Sequence, residues 1–473
     1  MMNNRISTNI QVQQRSNNQE RFVISELRKS FDGKVIGPED PEYDEARAVF
    51  HGGIDRKPAV IIRPKNTTEA SRVVSLAAKT GLELAIRSGG HSTAGHSVID
   101  GGIVLDLADM RDLQIDVENQ SAWAGAGLTA GEYTTAAGVY GLATGFGDTG
   151  SVGIGGLTLG GGIGYLVRKH ALTIDQLLAA EIVTADGQVH LIDEDANPDL
   201  FWAIRGGGGN FGVVTRFQFR LHKVDSVLGG MLFLPATPET ITSFIAEAYA
   251  APDELSIIAT VMNAPPMPFL PVEIRGTPII MAMLVYAGEV EEGNRVLKPF
   301  KTIAPPVADM IHPMSYPEIY ISGPGGGHAL MATRTMFMDM INRSAAETIL
   351  NHLQSSTASM AVVQLRVLGG AMARVPVDAT AFAHRKSRIL VNIAAMYQEP
   401  FKKAEHESWA DEFMPAIRQN DSGAYVNFLG DEGDARVRAA YPGRTWERLT
   451  SIKARYDPTN LFHLNQNIPP LLG

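Results

Sequence analysis

His91 is the residue whose surroundings most favour chemistry. It stands in the segment Arg87-Ser88-Gly89-Gly90-His91-Ser92, directly after an apolar run, and the two glycines leave few side chains near its imidazole. An imidazole can serve as a base, a nucleophile or a metal ligand. His96 is the one nearby histidine and no carboxylate joins the pair at ligand spacing, so no metal site is predicted. A lone histidine is more often structural, and the rest of the chain must decide its role.

Two glycine clusters suggest what His91 could accompany. Ten of the twenty residues from Gly145 to Gly164 are glycine, and Gly206 to Gly209 form a second run. Glycine is favoured where the backbone approaches a ligand closely or adopts positive φ. Because successive backbone N–H groups in such loops bind anions, the segments DTGSVGIGG and LGGGIG are predicted to hold a pyrophosphate. Tight turns between short strands are the structural alternative.

Gly207 to Gly212 match the spacing Gly-x-Gly-x-x-Gly of dinucleotide-binding loops, but in the wrong context. That fingerprint requires a strand, a loop and then a helix whose N-terminus meets the pyrophosphate. Here a helix predicted over Pro198 to Ile204 comes before the glycines, and the strand-like run VVTRFQFRL comes after them. A Rossmann NAD site is therefore not predicted. The Gly-x-Ser-x-Gly segment of many hydrolases is also absent.

The composition sets limits on fold and partners. A chain of 473 residues with 45% hydrophobic and 19% charged residues predicts a globular protein of two domains. The net charge of -10 arises from scattered carboxylates, and the absence of basic runs argues against nucleic acid as a partner. With no cysteine, disulfides and thiolate sites are excluded. The first twenty residues are predicted to be a mobile arm without a signal peptide. No membrane contact is expected, and the predicted location is cytoplasmic.

The pattern of apolar residues predicts two kinds of architecture. From Pro58 to Gly90 it indicates strand, helix and strand, with Asn66 or Thr67 capping the helix and Gly81 ending it. Between about Lys223 and Asp421, longer alternating strands separated by amphipathic helices predict an antiparallel sheet backed by helices. The Gly-rich stretch Gly323 to Gly327 is predicted to be a loop at its rim.

Four segments in order resemble one flavoprotein family. AIRSGGHS, GIVLDLADM, VGIGGLTLGGGIG and DLFWAIRGGGGNFGVVT are similar to the FAD domain of the vanillyl-alcohol-oxidase family, berberine-bridge branch, and AYVNFLGDE and YDPTNLFHLNQNI are similar to its closing motifs. The resemblance implies an α+β, two-domain, PCMH-type FAD-binding fold. Its implied segments are a lead-in of residues 1–44, an FAD-binding domain of 45–222, a substrate-binding domain of 223–422 and a C-terminal segment of 423–473 that completes the FAD domain.

The resemblance also implies how the cofactor is held. His91 matches the histidine that the family bonds to the 8α-methyl group of FAD. Thr149 stands where many members have a cysteine that forms a second link, so a single covalent link is implied, as in bacterial members such as 6-hydroxynicotine oxidase. Val152 matches a position that gates oxygen, although packing in a turn explains it equally well. The other implied FAD contacts are Arg87, Ser88, Gly89, Gly90, Ser92, Gly153, Gly155, Gly156, Gly209, Asn210, Val214, Asn465 and Asn467.

The implied activity is that of an FAD-dependent oxidase. A small organic substrate would give a hydride from a CH–OH or CH–NH group to flavin N5, and O2 would accept the electrons to form H2O2. A flavin dehydrogenase with another acceptor, or a flavin-holding protein with a cyclase or binding function, are the alternatives. The methionine-rich segments TPIIMAMLVYAG and ALMATRTMFMDM favour an apolar ring system over a sugar as substrate, although core packing predicts the same residues.

The identity of a catalytic base is left open by the sequence. Several family members have a tyrosine where this chain has Phe428, and phenylalanine cannot take a proton. Gln364 and Arg366 alternate along one strand and are predicted to share a face. Together with Tyr425 and Asn427 they are the candidate catalytic residues. Further candidates for a base or a positioning role are Tyr286, His312, Tyr316, Tyr320 and His328.

Overall fold

The computed structural model describes residues 24–320, 329–419 and 423–471. The predicted N-terminal arm, the predicted loop Gly323 to Gly327 and His328 lie outside the described residues. Within the ranges described, every helix is too short or too polar to cross a membrane.

The described ranges contain fourteen helices and nineteen strands, with short 3₁₀ turns between them. The helices are α1 (24–30), α2 (Tyr43–Arg47), α3 (Thr67–Thr80), α4 (Ala130–Gly138), α5 (Ile154–Leu159), α6 (Val167–His170), α7 (Pro198–Ile204), α8 (Pro238–Ala250), α9 (Val290–Thr302), α10 (Arg343–Ser355), α11 (Ala371–Arg374), α12 (Lys403–Ile417), α13 (Asp434–Ala440) and α14 (Arg444–Tyr456). The strands are β1 (Lys34–Ile36), β2 (Val60–Arg63), β3 (Leu84–Arg87), β4 (Ile103–Asp106), β5 (Leu113–Asp116), β6 (Ser121–Gly125), β7 (Leu142–Ala143), β8 (Leu177–Val183), β9 (Val189–Ile192), β10 (Val213–Arg220), β11 (His222–Lys223), β12 (Val227–Pro235), β13 (Leu255–Asn263), β14 (Pro278–Tyr286), β15 (Ala308–Asp309), β16 (His312–Met314), β17 (Leu330–Met338), β18 (Met360–Val367) and β19 (Ile389–Tyr397).

The first sheet has the order β1-β2-β4-β3, in which β2, β4 and β3 are parallel. Helix α3 connects β2 to β3, because parallel neighbours need a crossover connection. Asn66 caps this helix by accepting the Glu69 N–H, and Gly81 ends it in the left-handed region with φ of 70°. The predicted strand, helix and strand, with both ends of the helix, are confirmed. Strand β3 ends at Arg87 and delivers the segment that carries His91.

The second sheet, β5-β6-β10-β8-β9, is antiparallel throughout. Helix α7 precedes the second glycine cluster and β10 follows it, so the exclusion of a Rossmann loop is confirmed. In the first cluster Ile154–Leu159 form helix α5, so this part of the cluster does not follow the alternative of tight turns between short strands. Ile154, Thr158 and Leu159 are buried at helical spacing, and their packing overrides the weak helix propensity of glycine.

The third sheet has the order β15-β12-β14-β13-β18-β19-β17, with β16 also paired to β12. Every pairing in it is antiparallel. Helices α8, α9, α10 and α12 cover one of its faces around a core that includes Phe244, Phe300 and Phe413. The predicted α+β fold with an antiparallel sheet backed by helices is confirmed. The division into four segments at residues 44, 222 and 422 stays a prediction.

The C-terminal tail returns to the second glycine cluster. Lys453, fully buried, donates from Nζ to the Asp457 carboxylate at 2.6 Å, to the Asn210 carbonyl at 2.8 Å and to the Phe462 carbonyl at 3.1 Å. A buried ammonium group is tolerated only when it is paired and hydrogen-bonded in this way. Burial lowers the pKa of Lys453, and the charge of Asp457 opposes that shift. The network fixes the tail beside the loop that contains Asn210.

Candidate functional site

A cavity of about 480 Å³ lies where the glycine-rich loops meet the third sheet. We call its two main sides the floor and the roof. The floor comes from the loop after β3, the start of α5, the second glycine cluster and the tail, with Ser88 to Ser92, Val152 to Leu159, Gly208 to Val214 and Phe462 to Gln466 as its ranges. The roof consists of Met331 and Thr333 of β17, Val362, Gln364 and Arg366 of β18, and Asn392, Ala394 and Met396 of β19.

The roof shows why two of the predicted residues share a face. Successive side chains of a strand point to opposite faces. Gln364 and Arg366 therefore line the cavity, whereas Val363 and Leu365 between and beside them pack into the core under the helices. The face opposite the helices is thus the one that the cavity uses.

His91 lies in the cavity wall against an aromatic neighbour. Its ring stacks on Phe50 with 4.1 Å between centroids, and the Phe50 N–H donates to the Gly90 carbonyl at 3.1 Å. Burial lowers the pKa of His91 to about 4, aided by nearby His51 and opposed by a hydrogen bond with the Ser151 backbone. The imidazole is therefore neutral at neutral pH, and a neutral imidazole has the lone pair that a nucleophile needs.

The glycines of the floor divide into two groups. A Cβ on Gly89 would lie 2.2 Å from the Gly153 nitrogen, and one on Gly153 would lie 2.3 Å from the Gly89 nitrogen. These two glycines let two backbones pack together. A Cβ on Gly156 would instead meet nothing within 4 Å, and one on Gly209 only the Asn465 amide at 4.0 Å. Both positions line the cavity, so their missing side chains leave space that a large cofactor can occupy.

The tail contributes one unsatisfied acceptor to the floor. Asn465 donates from Nδ2 to the Phe462 carbonyl at 3.0 Å, while its buried Oδ1 has no partner among the described residues. Asn210 is used differently, since its Nδ2 donates to the Gly207 carbonyl at 2.8 Å and its Oδ1 accepts the Ile468 N–H at 2.8 Å. Asn210 therefore holds the tail in place. The glycine surface and the free acceptor together fit an FAD-sized ligand.

The structure brings most of the predicted residues to one cavity and places two outside its lining. Arg87 does not line it, because its buried guanidinium donates to the Asp106 carboxylate at 2.8 Å and to the Ala46 carbonyl. It ties β3 to its surroundings, and its contact with FAD stays a prediction. Asn467 also lies outside the lining, since the tail leaves the cavity after Gln466. The predicted residues that do line it are Ser88, Gly89, Gly90, His91, Ser92, Thr149, Val152, Gly153, Gly155, Gly156, Gly209, Asn210, Val214, Gln364, Arg366, Asn465, Tyr425 and Asn427.

Tyr425 is placed to position rather than to accept a proton. Its hydroxyl oxygen accepts the Gly162 N–H at 3.0 Å and Asn427 Nδ2 at 2.9 Å. Burial raises the pKa of Tyr425, and the hydrogen bonds from Asn427 and Gly162 only oppose that shift. The phenol therefore stays protonated at neutral pH. The described candidates Tyr286, His312, Tyr316 and Tyr320 do not line the cavity.

The roof also contains an ion pair with the first glycine cluster. Arg366, 4% exposed, donates from Nη2 to Asp148 Oδ2 at 2.6 Å and to Gln364 Oε1 at 3.0 Å. Its guanidinium carbon lies 4.9 Å from the centroid of the Phe428 ring. Phe428, which replaces a possible base, thus offers the cation an aromatic face.

Sequence reasoning missed several lining residues, among them Phe50, His51, Asp148 and Asn392. Two of them had a signal. Asp148 is the only carboxylate among the twenty residues from Gly145 to Gly164, and Asn392 is the only strongly polar residue in the run ILVNIAAMY. Phe50 and His51 had none, because a turn of the chain before β2 brings them beside His91.

Comparison with known proteins agrees with this geometry. A family model described as FAD binding domain matches residues 58–193, and one described as Berberine and berberine like matches residues 424–469. An uncharacterized FAD-linked oxidoreductase of Bacillus subtilis, YgaK, is 30% identical over 460 residues, which cover 93% of this chain and 97% of that protein.

Solved structures show the same fold. The crystal structure of 6-hydroxy-D-nicotine oxidase from Arthrobacter nicotinovorans is 28% identical, with a TM-score of 0.84 over 93% of this chain and 98% of that one. Glucooligosaccharide oxidase from Acremonium strictum, described with 6-S-cysteinyl, 8α-N1-histidyl FAD, is 22% identical, with a TM-score of 0.82 over 93% and 98% of the two chains. The chain therefore belongs to the berberine-bridge branch of the vanillyl-alcohol-oxidase family and is an FAD-linked oxidoreductase.

Proposed function

We propose that the protein is an oxidase that removes a hydride from a CH–OH or CH–NH group of a small organic molecule, with O2 as the electron acceptor. The observation that carries this proposal is the arrangement of one cavity, in which the glycine floor that fits FAD faces a side-chain roof that can hold a substrate. The structurally similar nicotine-derivative and oligosaccharide enzymes are both named oxidases, which supports the same class of reaction here.

FAD, when bound, supplies the redox chemistry: it accepts the hydride and passes both electrons to O2, and with two protons these give H2O2. The protein supplies attachment, orientation and exclusion of water. We assign the single covalent attachment to His91, whose neutral imidazole lies in the cavity wall. The chain has no cysteine, so a second link of the cysteinyl type cannot form.

Val152 and Thr149 border the cavity beside the glycine surface. A valine side chain is small and apolar, and we infer that it leaves O2 access to the cofactor. Tyr425 and Asn427 form a fixed pair, since Asn427 Nδ2 donates both to the Tyr425 hydroxyl and to the Leu157 carbonyl at 2.9 Å. This pair joins residues 425–429, which also line the cavity, to the first glycine cluster.

Anaerobic titration of the purified, yellow holoenzyme tests the proposal. A panel of aromatic and aliphatic alcohols, amines and cyclic imines should include compounds that bleach the flavin absorbance. Admission of air should then restore the colour and release one equivalent of H2O2 per oxidised substrate. Bleaching without peroxide would identify a dehydrogenase. A flavin that no compound bleaches would favour a non-redox binding or cyclase function.

A further inference from the structure

Arg366 is a buried cation whose hydrogen bonding the protein leaves incomplete. Only Nη2 has acceptors, namely Asp148 and Gln364, whereas Nε and Nη1 are buried without a partner among the described residues. A buried donor without an acceptor carries a free-energy cost, because it has lost its hydrogen bonds to water. A group at a cavity wall that carries such a cost is a candidate for contact with a ligand.

A second buried arginine shows what a completed pair looks like. Arg385 donates from Nη1 and Nη2 to the two oxygens of Asp175 at 2.7 and 2.8 Å, and from Nη2 to Thr380 Oγ1 at 2.6 Å. Both of its terminal nitrogens are thus engaged, and it lies away from the cavity lining. Nε is buried without a partner among the described residues in both arginines, so they differ at Nη1, which is engaged in Arg385 and unused in Arg366.

Asn392 marks the same part of the roof. It lies directly opposite Gln364 in the register of β18 and β19, and its buried Oδ1 has no partner among the described residues. An amide group can present either its oxygen or its N–H donors to a ligand. Two neighbouring polar side chains of the roof are therefore unsatisfied, and both line the cavity.

The surroundings of this polar spot are apolar. Met331, Val362, Ala394 and Met396 form the rest of the roof apart from Thr333, and Phe428 lies under the guanidinium. A planar guanidinium binds planar oxygen anions through two parallel hydrogen bonds. A ligand with a flat apolar ring and an anionic oxygen end would satisfy both the apolar surface and the free donors.

We propose that Arg366 is a specificity-determining residue that binds an oxyanion of the substrate, a carboxylate or an acidic phenolate attached to an apolar ring. This inference rests on the proposed function for the statement that the occupant is a substrate. Where the oxyanion is a phenolate conjugated with the reacting carbon, the inference also accounts for Phe428, because the phenol has already lost its proton to solvent and no tyrosine is needed to take it.

Isothermal titration of the holoenzyme with benzoate, 4-nitrophenolate and the neutral benzamide tests the inference. The wild-type protein should bind at least one of the two anions at least about tenfold more tightly than benzamide, as expected for a charge-assisted bidentate pair. Preference for benzoate or for 4-nitrophenolate identifies the oxyanion as carboxylate or phenolate. Anion binding no stronger than benzamide binding would overturn the proposal.

Substitution of Arg366 adds the causal test. Arg366→Gln should weaken anion binding at least about tenfold and change benzamide binding less than about twofold, and Arg366→Lys should restore part of the loss. The matched control is Arg334→Gln, on β17, whose side chain pairs with Asp411 on α12 outside the cavity. It removes the same charge and should leave binding unchanged. Equal loss in both variants, or anion binding that survives Arg366→Gln, would contradict the proposal.

Failure to fold does not hide the outcome. If Arg366→Gln loses its flavin, the comparison of the two anions with benzamide on the wild-type protein still shows whether the site prefers an anion. The proposed function fails separately: anion binding through Arg366 with no compound that bleaches the flavin would leave this inference intact and remove the oxidase. Efficient bleaching by neutral compounds, at the same rate in wild type and Arg366→Gln, would support the oxidase and contradict the role of Arg366.

Discussion

The floor and the roof of the cavity are built in different ways. The floor is largely backbone, in which glycines such as Gly89 and Gly153 allow loops to touch and others such as Gly156 leave space for a ligand. The roof is made of side chains on three antiparallel strands, and its polar members are Thr333, Gln364, Arg366 and Asn392. Backbone groups are the same in every sequence, whereas side chains are not. The floor therefore suits a common cofactor, and the roof suits an individual substrate.

The largest effect is expected at His91, which belongs to the floor. His91→Ala should abolish covalent flavin, because it removes the one nucleophile assigned to the link. Flavin fluorescence of the protein band on a denaturing gel measures this. His170→Ala, which removes a histidine stacked on His222 outside the cavity, is the control and should keep its fluorescence. A fluorescent band in His91→Ala would place the link elsewhere or exclude it.

The claim that the floor leaves space is tested at Gly156. Gly156→Leu should reduce the flavin content of the purified protein at least about tenfold, because the side chain fills the ligand's volume without meeting protein atoms at its Cβ. The melting temperature of the flavin-free protein should change little. Gly430→Leu is the matched control and should keep its flavin, since a Cβ on Gly430 also meets nothing within 4 Å but Gly430 lies outside the cavity lining. Normal flavin content in Gly156→Leu would show that the space serves no cofactor.

A smaller effect should appear where floor and roof meet, at Asp148. Asp148→Asn should tighten benzoate binding by about fivefold, because it removes a negative charge that competes for Arg366. Calorimetry of the holoenzyme measures the change. Asp411→Asn, which removes the partner of Arg334 outside the cavity, should have no effect. Weaker binding in Asp148→Asn would mean that Asp148 serves to hold Arg366 in position.

The smallest effect concerns the rate of covalent flavin attachment, which should not depend on pH near neutrality. The folded chain holds the pKa of His91 at about 4, so the imidazole is neutral above that pH and the rate of covalent attachment should be flat from about pH 5.5 to pH 8. Only as the pH falls toward the lowered pKa should protonation remove the nucleophile. Flavin-free protein mixed with FAD, and sampled for bound fluorescence, gives the rate. Half-maximal attachment near pH 6.5 would show that His91 is an ordinary exposed histidine.

The same pKa shift sets a linked trend in stability. An unfolded histidine takes up a proton below its ordinary pKa of about 6.5, whereas folded His91 does so only near 4. The unfolded state therefore binds more protons in this window, and flavin-free protein should lose stability as the pH falls from about 6.5 to 4. Burial lowers the pKa of His96 to about 4 as well, and it contributes in the same direction.

The fold class and the family could be predicted from the sequence, and most of the residues predicted to contact FAD line the floor. Helix α3 with its caps, strands β12 and β13, and the glycine clusters follow from local pattern and from motifs, because periodicity, capping and close backbone approach leave marks in consecutive residues. No pattern in consecutive residues shows which side chains meet across the cavity. Asp148 and Arg366 are far apart in the chain, and only the folded chain shows that Arg87 lies beside Asp106 and outside the cavity lining. The roof could be recognised only in the folded chain, since a strand's alternation tells which residues share a face but not what that face meets.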